Sequence, residues 1–193
     1  MAQPNLLEVD WSKIPAPTDD GAAAHLKGMT VPPISLVATD DTSVTLSALP
    51  GRTVVFAYPR TGEPGKISIV DDWDMIPGAR GCTPQTCAFR DLFAELKAAG
   101  AGHVFGLSTQ DNAYQAEMAA RLHLPFPVLS DEQLELTRAL DLPTMQVAGL
   151  TLIKRLGLII DNARITQVFY PVFPPDRNAG DVLAWLKENP ATA

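Results

Sequence analysis

TVVFAYP, residues 53–59, sets the centre of the fold. Its apolar side chains follow one another without the alternation of a half-solvated strand, and Pro59 ends the run, as in a strand covered on both faces. HVFGLST (103–109) repeats that character and FPVLSD (126–131) gives a shorter version of it. Between the first two, Phe89, Leu92, Phe93 and Leu96 stand at i, i+3, i+4 and i+7 and Gly100 closes the segment, which predicts an amphipathic helix. DNAYQAEMAARLHL (111–124) predicts a second helix capped by Asp111, and EQLELTRALDL (132–142) and DRNAGDVLAWLKEN (176–189) predict two more.

Outward from this core, ISLVATDDTSVTLSAL (34–49) alternates on both sides of Asp40-Asp41 and predicts a hairpin. KRLGLIIDNARITQVFYP (154–171) predicts another, turning at Asp161-Asn162. Strands alternating with helices and ending in a hairpin and a helix imply an α/β protein of thioredoxin-like fold, a mixed central sheet flanked by helices, with an N-terminal hairpin. Residues 1–30, broken by Pro4, Pro15 and Pro17, read as an arm lying on the domain, with a short helix expected near Ala22–Lys27. The domain spans 31–193, with an insertion at about 66–80.

The chain's 193 residues suit a single domain, and 46% hydrophobic with 19% charged residues suit a soluble globular one. A net charge of −7 opposes phosphate backbones, so nucleic acid is not an expected partner. No run approaches the roughly 18 apolar residues of a membrane span, and MAQPNLLEVDWSK at the N-terminus has neither a basic start nor an apolar core. The expectation is a cytoplasmic protein without a membrane partner.

In such a compartment the two cysteines, Cys82 and Cys87 within GARGCTPQTCAFRDLFAEL (78–96), point to redox chemistry. The polar neighbours in CTPQTC argue against two thiols that merely fill a core. His25, His103 and His123 stand at no ligand-like spacing to them, which leaves a zinc site without its four ligands and predicts no metal. Cys82 falls at the expected start of a helix, with Pro84 suited to the first helical position, and a helix N-terminus favours the thiolate. Cys87 lies one and a half turns on. In a helix the two Cα atoms are roughly 8 to 9 Å apart, beyond the about 7 Å limit of a disulfide, so joining them requires the first turn to unwind.

Over residues 31–188 the chain resembles the peroxiredoxins, most of all the bacterioferritin comigratory protein or peroxiredoxin Q group. The stretches that carry the resemblance are FAYPRTGEPG, GCTPQTCAFRDLFAEL, GLSTQD, VLSDEQLELTRALDL and KRLGLIID. Gly81, Cys82, Thr83, Cys87, Phe89, Arg90 and Asp91 match that group's Gly-Cys-Thr-x-x-x-Cys-x-Phe-Arg-Asp pattern in order. The resemblance implies that Cys82 is the peroxidatic cysteine, Cys87 the resolving one and Arg155 the arginine that steadies the thiolate. Pro59, Thr61, Gly81 and Thr83 are the implied substrate-binding positions. It also implies a thiol peroxidase for hydrogen peroxide and alkyl hydroperoxides, without a cofactor, reduced by thioredoxin or a glutaredoxin-type dithiol, and either a monomer or a homodimer. IPGARGCTP and the LKRLGLII strand also look like the peroxiredoxin 5 group.

The pattern is interrupted just before Cys82. Ala79 stands where the group has a threonine and Met75 where it has a proline. Restarting the motif at Pro59 makes KISIVDDWDMIPGAR an insertion and puts Glu63 in the threonine place; Thr61 or Thr83 then supplies the hydroxyl. The apolar Ile67, Ile69, Val70, Trp73, Met75 and Ile76 predict that this insertion packs as a wall beside Cys82. The alternative function is a redox sensor or thiol–disulfide oxidoreductase on the same fold.

Overall fold

A computed structural model describes residues 9–191. Its centre is strand β3 (Arg52–Ala57), every residue of which is buried. Val54 and Phe56 point into one apolar cluster, Val55 and Ala57 into the other, which is the two-faced burial that an unbroken apolar run predicts. β4 (His103–Ser108) lies parallel to β3, and β5 (Val128–Ser130) lies parallel to β4. On the other side β8 (Leu156–Asp161) and β9 (Arg164–Phe169) pair antiparallel, and β1 (Ser35–Ala38) and β2 (Ser43–Thr45) add the N-terminal hairpin beyond β5. The order β2-β1-β5-β4-β3-β8-β9 is a mixed sheet of thioredoxin-like type, as expected.

Both predicted hairpins form, the second turning at Asn162-Ala163, one residue later than the expected Asp161-Asn162, because Asp161 still pairs with Arg164. Asn162 and Ala163 carry β8 into β9 with φ of 46° and 68°, the left-handed pair that a two-residue turn matching strand twist requires. A third hairpin, β6 (Thr144–Val147) with β7 (Leu150–Ile153), has no counterpart in the sequence reading. It turns at Ala148-Gly149 with φ of 50° and 76°. Its last strand delivers Lys154 and Arg155 to the start of β8.

Helices α1 (Cys82–Asp91), α2 (Phe93–Ala98), α3 (Asn112–Arg121) and α5 (Asn178–Glu188) each contribute side chains to the cluster that contains Phe56, while α4 (Glu135–Leu140) packs in the other. The single helix expected to carry Phe89 and Leu96 is broken at Leu92 into α1 and α2, and both anchors remain fully buried. Gly100, at φ +101°, closes α2 as expected: its N–H bonds the Lys97 carbonyl and that of Ala101 the Leu96 carbonyl. Asp111 caps α3 through the Tyr114 N–H. The short helix expected at Ala22–Lys27 is instead a series of turns closed by bonds from Ala24 to Gly21 and from Leu26 to Ala23. The described part of the arm lies on the domain, and Thr30 bridges to Arg164 of β9. No helix of the described residues is long and apolar enough to cross a membrane.

Phe89 fixes the position of α1 on the sheet. Its ring stacks on Phe56 at 4.1 Å between centroids and 6° between planes. Phe89→Ala leaves that space empty in a fully buried cluster, and the expected loss is about 3 to 5 kcal/mol, read as a fall in the denaturant midpoint.

Candidate active site

Helix α1 begins where a glycine is obligatory. Gly81, its N-cap, has φ +104°, and a Cβ there would stand 2.5 Å from Cγ of Pro175 and 2.8 Å from the Trp11 ring. Trp11 is held in place by its indole N–H, which donates to Asp176 at 3.0 Å, and by edge contact with Phe173. The arm and the 173–176 segment therefore close over the start of the helix. Cys82 is the first helical residue, 3% exposed, at the end where backbone N–H groups lack intrahelical partners. Pro84 occupies the third position rather than the first, still within the turn where no N–H is needed.

Arg155 is 2% exposed and reaches Cys82, its Nη2 lying 3.3 Å from Sγ. The same nitrogen donates to the carbonyls of Gly78 and Ala79 at 3.2 Å and of Arg80 at 3.0 Å. Nη1 donates to the Gln85 side-chain oxygen, and the Gln85 amide donates in turn to Asn178 at 2.9 Å. Among the described residues no carboxylate pairs with Arg155. A buried guanidinium with no carboxylate is an incompletely compensated charge. Of the atoms it contacts, only the Cys82 sulfur can become an anion. The Cys82 thiol lies 3.5 Å from the Ala79 carbonyl.

A cavity of about 90 Å³ opens beside Cys82, walled by Thr61, Thr83 and, from the insertion, Ser68, Trp73, Asp74 and Arg80. The insertion does wall the cavity, but of the apolar residues expected to pack there only Trp73 lines it, and Ile67 and Met75 are exposed; an Asp74–Arg80 ion pair at 2.5 Å ties its short 3-10 turn (Trp73–Met75) to the approach to Cys82. Thr61 is buried, with its N–H and hydroxyl both engaged by Gln110 at 2.8 and 3.2 Å. The Thr83 hydroxyl has no hydrogen bond within the described residues. Pro59 is buried behind this wall, its carbonyl accepting from Ser108 at 3.2 Å, and does not line the cavity. Glu63, the residue in the threonine place, turns away to Lys66 at 2.5 Å.

Cys87 shares α1 with Cys82, and both thiols are free and buried. The polar run CTPQTC does not keep them at the surface: every residue from Cys82 to Cys87 is buried, because Gln85 is satisfied by Arg155 and Asn178 and the Thr86 hydroxyl by the Cys82 carbonyl at 2.9 Å. Burial pushes the Cys87 thiol above its ordinary value, against the opposing pull of Arg90. Gln85, Asn178, Gln110 and Trp11 escaped the sequence reading. The one signal for the first of them is a glutamine on the inward side of a helix whose neighbours are core residues.

The Redoxin family pattern matches residues 26–183. A chloroplastic peroxiredoxin Q from Oryza sativa subsp. japonica is 33% identical over 163 residues, covering 83% of this chain and 66% of that protein, so the chain spans just under two thirds of that relative's length. Among solved structures, the peroxidoxin BcpB of Mycobacterium tuberculosis superposes with a TM-score of 0.68 at 28% identity, over 86% of this chain and 99% of that one. The Xanthomonas campestris bacterioferritin comigratory protein, described for its alkyl peroxide reduction activity, gives 0.63 at 25% identity over 80% and 90%.

The contact between Arg155 and Cys82 has a direct chemical readout. In a Cys87→Ser background, which leaves one thiol, Arg155→Ala is expected to slow alkylation of Cys82 by iodoacetamide at neutral pH about tenfold or more. Far-UV circular dichroism is expected to be unchanged.

Proposed function

The chain belongs to the Redoxin family, as a peroxiredoxin of the bacterioferritin comigratory protein or peroxiredoxin Q group, and we propose that it is a thiol peroxidase for hydrogen peroxide and alkyl hydroperoxides. The observation that carries this reading is the buried Arg155, which among the described residues has Cys82 as its only anion-capable contact. A peroxide is uncharged, so the site must act on charge that appears during reaction. The sulfur of Cys82 attacks the terminal peroxide oxygen, an S–O bond forms as the O–O bond breaks, and the departing alkoxide or hydroxide takes up a proton. Cys82 is then a sulfenic acid, and water or an alcohol has left. Guanidinium donors fixed in one plane favour both the initial thiolate and the negative charge passing to the departing oxygen.

Between the two candidate hydroxyls, Thr83 is the better placed. Thr61 already donates to Gln110, whereas Thr83 lines the cavity with its hydroxyl unengaged. Gly81 acts by permitting the helix start, and Pro59 by ending β3 where Arg60 and Thr61 can reach the cavity.

Cys87 condenses with the sulfenic acid to a disulfide, releasing water, after the first turn of α1 unwinds. An external dithiol of thioredoxin or glutaredoxin type restores both thiols by exchange. The raised Cys87 thiol suits this second role, since it stays protonated while Cys82 reacts first.

In single-turnover stopped flow, Cys82→Ser is expected to be inert to peroxide, while Cys87→Ser completes one fast oxidation and stops as a sulfenic acid; the reverse pattern would exchange the two roles. Arg155→Ala is expected to slow the peroxide step about 100- to 1000-fold. A rate within twofold of the parent would remove Arg155 from the mechanism.

The resolving step also carries a pH dependence, because an ordinary thiol and a raised one alike titrate above neutrality. A thiol with a raised value is mostly protonated at neutrality, so its reactive fraction grows with pH. Disulfide formation, followed after a peroxide pulse, is expected to quicken by up to about tenfold per unit between pH 6 and 8. A flat profile would place the limiting event in the unwinding of the helix instead.

A further inference from the structure

The cavity beside Cys82 does not end at the reacting sulfur. It shares Arg60, Thr61, Gly62, Ser68 and Trp73 with a second cavity of about 220 Å³, formed largely by the insertion. Hydrogen peroxide needs no such space: a water occupies about 30 Å³, so the inner cavity of about 90 Å³ already holds a peroxide of that scale.

The outer cavity has an apolar side. Ile67, Ile69, Trp73 and the Tyr114 ring line it, and Ile67, directly after the turn closed from Lys66 to Glu63, is 91% exposed. Tyr114 is fixed by its hydroxyl, which donates to the Thr61 carbonyl at 3.0 Å, and the Arg60 guanidinium lies over its ring at 5.1 Å. The Lys66 charge is answered by Glu63 at 2.5 Å. Uncovered apolar groups gain by being closed off from water, and a ligand that covers them needs apolar surface.

We propose that the insertion builds a subsite, walled by Ile67, Ile69, Trp73 and Tyr114, for the apolar arm of a neutral organic hydroperoxide whose peroxide group reacts at Cys82. The proposal rests on the thiol peroxidase reading. Attack on the terminal oxygen requires the substituent to extend away from sulfur, and the shared wall at Trp73 leads it from the inner cavity to the outer one. The S–O bond forms, the O–O bond breaks and the arm departs as an alcohol once the alkoxide is protonated. An aryl-substituted tertiary group, as in cumene hydroperoxide, is of the size and polarity the outer cavity takes.

The test compares the second-order rate constants for Cys82 oxidation by cumene hydroperoxide and by hydrogen peroxide, in the parent protein and in the Ile67→Ser/Ile69→Ser variant. Neither isoleucine lines the inner cavity beside Cys82, and thermal melting checks that the variant folds. The parent is expected to prefer cumene hydroperoxide. The variant is expected to lose about tenfold on it and to remain within twofold on hydrogen peroxide. Cumyl alcohol, the product, is expected to inhibit the parent competitively and the variant about tenfold less. Rapid oxidation of Cys82 with equal losses on both substrates, or with no loss on either, would overturn the subsite while leaving the peroxidase reading intact. A parent protein inert to both peroxides would overturn the peroxidase reading and the subsite with it.

Discussion

A guanidinium buried without a carboxylate imposes conditions on everything around it, and Arg155 imposes them on the half of this protein that carries both thiols. Its Nη2 is met by the carbonyls of Gly78, Ala79 and Arg80, which curves the end of the insertion around the charge just before Cys82, while its buried Nε has no partner among the described residues. Gln85 must present its oxygen inward, and its amide must then find Asn178 at the start of α5. The pairing of β3 with β8 brings the Arg155 end of the sheet to the α1 end. One charge thus couples the last third of the chain to the helix that carries both thiols.

What could be read from the sequence follows from range. The two-faced burial of TVVFAYP, the turn at Asn162 and the cap at Asp111 are local patterns, and each formed as the periodicity and turn chemistry demand. Cys82, Cys87 and Arg155 are singled out by the motif that contains them, and the fold brings Arg155 to Cys82 and places both thiols on one helix. The Gln85–Asn178 contact spans 93 positions and the Trp11–Asp176 contact 165, and no local pattern announces a polar pair that meets only after folding. The β6–β7 hairpin was missed because Ala148-Gly149 lacks the Asn or Asp that usually marks such a turn. The polar letters of CTPQTC misled for a related reason: side chains that find partners inside the protein can be buried as fully as leucines.

The insertion is tolerated because it leaves and rejoins the domain at one place. Lengthening a loop costs little entropy once its ends are held, and here Thr61 is held by Gln110 at one end and Gly78 to Arg80 by Arg155 at the other. The threonine place is vacated by Glu63, and the carbonyl of Ala79 meets the sulfur and the guanidinium.

The placement of both thiols on one buried helix also sets the driving force of the proposed cycle. With both thiols in α1, a disulfide between them requires the first turn of that helix to uncoil. The oxidised protein therefore carries a conformational cost that the reduced protein does not. Every 1.4 kcal/mol of that cost raises the reduction potential of the couple by about 30 mV, so the helix acts as a spring that helps a passing dithiol to open the bond. A protein whose thiols met without unfolding would hold its disulfide at a lower potential and surrender it less readily to the same donor.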